Sequence, residues 1–383
     1  MDYLGQPFVF KVRKILRYLR LYGINRTRHK ALGQLHLRRE YKELPARRHH
    51  IRKNQFVGLI GCGNYAYTTI AYYLTKRYGR AIAAGMDINI HRAASLAERY
   101  RVPLYTTDVE ELLTLDAARI VYIASNHASH AEYAITALAR GKHVYIEKPH
   151  VVTLDQLRRL AAAMNSASGK VFLGFNRPGS RLGKIITRYL DRQAGPGMYN
   201  WFVAGHDLDP DHWYFQPEEG GRVLGNLCHW TDFVLRLAGA EAFPVVINPS
   251  RAPSSESDIA VTFTFSNGTI AAITFSAKGH TFEGVRERFS AHKGNCLVSM
   301  DDFQTLRVEV VQHKKRYRNL FRDHGHRQNI IAAAENVLRD LPYDRAQHVA
   351  HLWNTGMLFL KTKEALQQDT RIVVKGFDPR QLP

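Results

Sequence analysis

Between Phe56 and Phe175 the chain alternates short apolar runs with stretches whose apolar residues recur every third or fourth position. Phe56 to Ile60 is a first run, and Ala66 to Tyr78 carries helical spacing. Ala81 to Met86 is a second run, followed by a helical pattern from His91 to Tyr100. Pro103 to Thr107 reads as a short strand, Asp108 caps a helix through Leu113, and Ile120 to Ala124 is a further buried strand. A helix to Arg140 stops at Gly141, and His143 to Ile146 and Val171 to Phe175 are strands on either side of a helical Asp155 to Ala167. Strands this short and apolar, each followed by a helix, predict a doubly wound parallel sheet of the α/β class.

Beyond residue 176 the period changes. Val261 to Phe265 and Thr269 to Phe275 are β-branched and partly alternating, joined by the hairpin turn Ser266-Asn267-Gly268. Cys296 to Met300 and Leu306 to Gln312 are further strands, and His326 to Leu338 and Arg345 to Leu366 are helices. This predicts an α+β domain with a large, mainly antiparallel sheet and helices on one face. At the other end, Phe8, Val12, Ile15, Leu16, Leu19 and Tyr22 fall at helical spacing, with Lys11, Arg13, Lys14, Arg17 and Arg20 between them. Arg38 to Lys53 reads as a solvated linker. The expected division is therefore a basic arm over 1–54, a first domain over 55–175 and a second over 176–383.

Charge sharpens the picture of the arm. The 383 residues carry a formal net charge of +20. Residues 1–54 hold 15 Lys or Arg against 3 Asp or Glu, so most of the excess belongs to the arm. A basic amphipathic helix can pack on its own protein, join an oligomer interface or lie on an anionic membrane surface. Nucleic acid is disfavoured as a partner, since no helix-turn-helix, zinc or RNA-binding aromatic motif accompanies the charge. The three cysteines, Cys62, Cys228 and Cys296, match neither a disulfide framework nor a zinc site, and no metal is expected. The absence of a long apolar run or signal-like segment leads to a cytoplasmic expectation, with peripheral membrane contact through the arm left open.

The candidate chemistry begins at Gly61-Cys62-Gly63-Asn64-Tyr65-Ala66, placed between a strand and a helix. In a G-x-G-x-x-G/A turn Gly61 permits the tight turn, Gly63 lets backbone approach a pyrophosphate, and Ala66 allows helix to pack on strand. Asp87 ends the second strand at the distance expected of a ribose-binding carboxylate, which favours NAD over NADP. The first domain is thus expected to be an α/β Rossmann fold. His127 and Lys148 follow other strands, at the carboxyl end where ligands bind such sheets.

These motifs resemble the glucose-fructose oxidoreductase, inositol dehydrogenase and rhizopine catabolism family, Gfo/Idh/MocA. GLIGCGNYA, RGKHVYIEKP and the GFNR at Gly174 to Arg177 carry the likeness in the first half. DHWYFQPEEGGRVLGNLCHWTDF from Asp211 to Phe233, SNGTIAAITF, Asp301-Asp302-Phe303 and Asp323-His324-Gly325-His326 resemble a branch associated with surface-polysaccharide synthesis. The resemblance runs from about Gln55 to the C-terminus. It implies a Rossmann domain followed by an open-faced sheet used for homo-oligomer contacts and substrate.

By this resemblance Lys148 lies beside nicotinamide and substrate hydroxyl, and His229 is the proton acceptor. Many members carry an aspartate where this chain has Gly225, and the polysaccharide branch a glutamate where it has Asn226. Asn226 holds a hydroxyl or imidazole by hydrogen bonds but takes no proton. Asn64, Tyr65, Ser125, His127, His130 and Glu147 complete the cofactor-side set; Asn176, Arg177, His212 and Trp213 are substrate-side candidates. The expected activity is NAD-dependent hydride transfer to or from a secondary alcohol of a sugar, including nucleotide sugars. The alternative is an NAD-binding regulatory or scaffold protein without turnover, motivated by the missing carboxylate.

Overall fold

The computed structural model describes residues 5–48, 50–209, 211–239, 241–251, 258–280, 282 and 284–381. The chain divides into two compact units. Of the described residues, the first comprises those up to Gly174 together with His326–Leu352, and the second those of Phe175–Gly325 with Trp353–Gln381. Residues 326–352 therefore pack with the first unit although they follow the second in sequence.

In the first unit β1 (Val57–Ile60), β2 (Ile82–Met86), β3 (Leu104–Thr106), β4 (Ile120–Ile123), β5 (His143–Ile146) and β6 (Val171–Leu173) form a parallel sheet in the order β3-β2-β1-β4-β5-β6. β1, β2 and β4 are buried at every position, which is why they read as continuous apolar runs. Backbone bonds tie the carboxyl ends together beyond the strands. Gly61 N–H donates to Met86, Ala124 N–H to Ile60, Glu147 N–H to Ile123 and Gly174 N–H to Ile146, at 2.7–2.9 Å. The helical stretch after the glycine turn opens with a π-turn at Ala66–Ile70 and becomes α-helical over Ala71–Tyr78.

The basic arm is one helical segment, Phe8–Leu37, broken in its backbone at Gly23 (φ 77°, ψ 169°). Its second half is fastened to the first unit. Arg26 donates to the Thr68 carbonyl and lies over the Tyr72 and Tyr73 rings, 5.0 and 4.9 Å from their centroids. Gly33 fits against Thr68 and Asn64 so closely that a side chain there would collide with both. The stretch expected as a solvated linker also runs along this unit. Tyr41 N–H donates to His91 Nδ1 (3.1 Å), Arg39 pairs with Glu98 (2.8 Å), Arg47 with Glu111 (3.1 Å), and the Tyr105 hydroxyl donates to the Pro45 carbonyl. Most of the stretch is exposed, as its composition suggested, while Arg39 and Arg47 pair with carboxylates on neighbouring helices.

The second unit holds β7 (Gly197–His206), β8 (Val245–Arg251), β9 (Asp258–Phe265), β10 (Ile270–Gly279), β11 (Arg286–Lys293), β12 (Cys296–Asp301), β13 (Thr305–Val310), β14 (His313–Arg318) and β15 (Ile372–Val374). They form one sheet, β14-β13-β12-β11-β7-β10-β9-β8-β15, antiparallel at every step except β7 with β10. Along β7 buried and exposed positions alternate. Tyr199, Trp201 and Val203 face a core shared with Phe233 and Val234 of the helix Cys228–Ala238, the edge of Trp201 meeting Phe233 at 5.3 Å between centroids. The other face is open and carries exposed Met198, Phe202, Ile270 and Leu297. Register places Leu297 opposite His292, His292 opposite Met198 and Met198 opposite Ile270, so a row of three apolar residues and one histidine crosses four strands.

Candidate active site

Asp87, the glycine turn, Ser125 and Lys148 occupy the carboxyl ends of four adjacent strands, β2, β1, β4 and β5. At a strand spacing near 4.8 Å this row spans about 14 Å across the switch point of the sheet. Gly61 has φ +84°, and a Cβ on it would stand 2.6 Å from the Ala124 backbone. Gly63 has nothing within 4 Å of its Cβ position, so the turn is closed on the sheet side and open above. Asn64 Oδ1 is buried without a hydrogen-bond partner among the described residues. Asp87, itself buried, accepts from Cys62 N–H (2.7 Å, Oδ2) and Asn89 N–H (2.9 Å, Oδ1), which fixes the carboxylate at the turn and leaves each oxygen a second lone pair. An open backbone cradle followed by a fixed carboxylate suits a dinucleotide, with Gly61, Gly63 and Ala66 at its diphosphate and Asp87 at its ribose. Among the described residues no group of three or more His, Cys, Asp or Glu could hold a metal ion.

At the β5 end, Glu147 is buried and its carboxyl is pushed up by burial, an effect the Lys148 ammonium partly counters. Tyr145 donates to its Oε1 (3.1 Å), and Asn329 Nδ2 donates to Tyr145 Oη (3.2 Å) and to the Leu173 carbonyl (3.1 Å). The Tyr65 hydroxyl, also hydrogen-bonded to Glu147, lies 3.0 Å from His326 Nδ1. Tyr145, His326 and Asn329 are site residues that the sequence reading did not assign. The DHGH element was a signal for His326, its last member; Tyr145 stands inside RGKHVYIEKP, and no motif marked Asn329.

His130 lies at a carbonyl clamp. Its Nδ1 is 2.7 Å from the Pro149 oxygen and its Nε2 3.1 Å from that of Ser125, and burial pulls its pKa down to about 4. The neutral ring has one N–H, which goes to the nearer oxygen and ties the loop after β4 to the turn holding Lys148. His127 is buried beside it, 6.0 Å between ring centroids. Ser125 Oγ is hydrogen-bonded to Ser129 Oγ (2.7 Å), which also lies 2.6 Å from Asn126 Oδ1.

In the second unit the Gly220-Gly221-Arg222 segment runs into a π-turn, Val223–Leu227, and then the helix carrying His229. Asn226 Oδ1 is buried with no partner among the described residues, an acceptor placed three residues before His229. His229 is buried, with Phe175 meeting it edge-on at 6.3 Å. Trp213, half-exposed, stacks with His212 (5.8 Å) and meets Tyr214 edge-on (4.5 Å).

Asn176 and Arg177, expected toward substrate, are turned inward. Arg177 donates to both oxygens of the fully buried Glu287, at 2.8 and 2.6 Å, and stacks over Trp230, whose Nε1 donates to Glu287 at 2.8 Å. Asn176 Nδ2 donates to the His324 carbonyl at 2.8 Å. The Nε and Nη2 edge of the guanidinium is taken by one carboxylate and its Nη1 donates to Asn176 Oδ1 (3.4 Å), so Arg177 braces the second unit. A cavity of about 300 Å³ in the second unit is lined by Phe215, Gly221, Arg222, Arg251 and Lys363 among others, with no acid among its described walls.

Residues 56–175 match the family described as "Oxidoreductase family, NAD-binding Rossmann fold", GFO_IDH_MocA. Oxidoreductase P35 of Formosa agariphila is 34% identical over 120 residues, 31% of this chain and 37% of that protein. The uncharacterized oxidoreductase YrbE of Bacillus subtilis is 26% identical over 265 residues, 67% of this chain and 77% of YrbE. A levoglucosan dehydrogenase solved with NADH and L-sorbose superposes with a TM-score of 0.70 at 17% identity, covering 85% of this chain and 100% of that one. Residues 56–175 thus match the NAD-binding Rossmann domain of Gfo/Idh/MocA oxidoreductases, and the chain as a whole shares the fold of the solved levoglucosan dehydrogenase.

Proposed function

We propose that the protein is an NAD-dependent dehydrogenase acting on a secondary alcohol of a sugar or polyol. The observation that carries the reading is the row Asp87, Gly61, Ser125, Lys148 across four adjacent strand ends. It places a cation one strand beyond the turn after β4, at the end of the row opposite the ribose carboxylate. Bound NAD supplies the hydride acceptor. Lys148 orients the substrate hydroxyl and stabilises negative charge developing on its oxygen, His229 takes the hydroxyl proton, and Asn226 Oδ1 accepts from a substrate hydroxyl. As the C–H bond gives up hydride and the O–H bond its proton, the carbinol becomes a carbonyl. Similar proteins include inositol 2-dehydrogenases, one 32% identical over 125 residues in Pseudomonas savastanoi.

Within that class the cationic cavity favours a sugar bearing an anionic group, as nucleotide-linked sugars do, in keeping with the likeness of Asp211–Phe233 to the polysaccharide-associated branch. Burial lowers the pKa values of Arg222 and Lys363, so an anion there would offset a desolvation cost already present. The exposed row of Met198, Ile270 and Leu297 suits a second copy of the chain on the open face. The reading without turnover rests on Gly225 and Asn226, which leave His229 with no carboxylate at the family positions.

The test offers NAD with UDP-, GDP- and dTDP-linked sugars, uronates and inositols, following nicotinamide absorbance. Reduction with an anionic sugar is expected, lost in Lys148→Met while NADH fluorescence titration stays within about threefold. No reduction with any of them, beside normal NADH binding, would decide for the reading without turnover.

A further inference from the structure

The front half of the arm helix presents the wrong face to water. At 100° per residue Phe8, Val12 and Ile15 share one arc, with Val9 and Leu16 beside them. All five are exposed, 38–77% by residue. On the opposite side Lys14 is buried and Phe10, Tyr18 and Leu21 are partly covered. A soluble surface helix does the reverse. Arg13 and Arg20, both exposed, border the apolar arc, and Lys11 and Arg17 flank the covered side. Residues 5–39 contain no Asp or Glu. The back half cannot swing to hide the stripe, because Arg26, Gly33 and His36 fasten it to the first unit beyond the break at Gly23.

We infer that Phe8–Tyr22 is a membrane-surface anchor, laying its apolar stripe into the headgroup boundary of an anionic bilayer with Arg13 and Arg20 at the phosphates. Charge selects this occupant. A second copy would bring another acid-free, five-cation segment of a +20 chain against the first. A nucleic acid would meet the cations and leave the stripe in water. An anionic lipid surface takes both, and the segment lies on it rather than crossing it, since no described helix is long and apolar enough to span.

The experiment co-sediments the full chain with vesicles of phosphatidylcholine alone and of phosphatidylcholine mixed with phosphatidylglycerol. Binding to the mixed vesicles is expected, falling with added salt, and weakened about tenfold or more in the double variant Val12→Gln, Leu16→Gln. NADH titration of that variant should match the parent, which shows that the first unit is intact. The inference is overturned if the anionic vesicles bind no more than neutral ones. It is equally overturned if the double variant binds them as well as the parent does, or if it abolishes a lipid-free self-association.

Discussion

His36 Nε2 lies 2.7 Å from the carbonyl oxygen of Cys62, within the glycine turn, while its Nδ1 lies 2.9 Å from Ser95 Oγ. The ring stacks on Tyr67 at 4.0 Å, and burial lowers its pKa. A neutral ring then donates through Nε2 and accepts from the serine through Nδ1, so one arm side chain holds both the turn and the helix that follows β2. Replacing His36 by Leu leaves the Cys62 carbonyl and the Ser95 hydroxyl unsatisfied in the interior. A loss of about 1–3 kcal/mol is expected in denaturant unfolding, with weaker NADH binding by fluorescence titration. Deleting residues 1–22 should spare both quantities; deleting 1–48 should not. Equal behaviour of the two deletions would show that the docked half is dispensable.

Gly61 and Gly63 should separate folding from binding. Alanine at Gly61 combines a left-handed φ with a Cβ 2.6 Å from the Ala124 backbone, which cannot yield without opening the β1–β4 ends. A stability loss of roughly 2 kcal/mol or more is expected. Alanine at Gly63 meets no protein atom within 4 Å, so the melting temperature should hold while its methyl group occupies the cradle. NADH affinity should drop at least tenfold. A Gly63→Ala protein that binds NADH normally would move the diphosphate away from this turn.

The parallel sheet was legible because its strands are buried on both faces, and the row of ligand-end residues followed from their positions after those strands. The docked half of the arm was not. Its contact uses Arg26, Gly33 and His36, a cation, a glycine and an imidazole, which leave no apolar stripe to count, and Gly23 ends the periodic pattern at Tyr22. Arg177 and Glu287 are 110 residues apart, so a chain-order reading had no means of pairing them. The return of residues 326–352 to the first unit was hidden for the same reason, and with it His326 and Asn329. The front half of the arm was legible as amphipathic, but only the structure shows its apolar side turned outward.

Glu287 is fully buried, and although burial opposes its charge, the Arg177 guanidinium beside it holds the carboxyl below its ordinary range. Glu287→Gln keeps the shape and the Trp230 bond but leaves a buried guanidinium without its counter-charge. The expected cost is about 3–5 kcal/mol, measured as a shift in urea midpoint at unchanged slope. Replacing Arg177 and Glu287 together, by Met and Leu, should recover much of it. If Glu287→Gln alone costs under ~1 kcal/mol, the pair does not act as a closed ion pair.

Buried imidazoles contribute to the response to acid; His36 and His143 are shifted the same way as His130 and His324, which carry the large shifts. Burial takes His130 and His324 from the ordinary 6.5 down to about 4, with Arg177 and Arg322 adding to the effect at His324 and Glu287 opposing it. Both are neutral in the fold and charged in the unfolded chain between those values. The unfolded state therefore binds more protons across that window, and stability falls as pH drops from about 6.5 to about 4, while above it neither group contributes a slope. Each accounts for at most roughly 3 kcal/mol. Loss of the Glu287 pair belongs to lower pH, below the usual carboxylate range, because its folded pKa is depressed. Urea titrations at a series of pH values should show the two regimes, and His130→Asn should flatten only the upper one. A stability curve level from about pH 6.5 to about pH 4 would mean that His130 takes up a proton without leaving its clamp between Ser125 and Pro149.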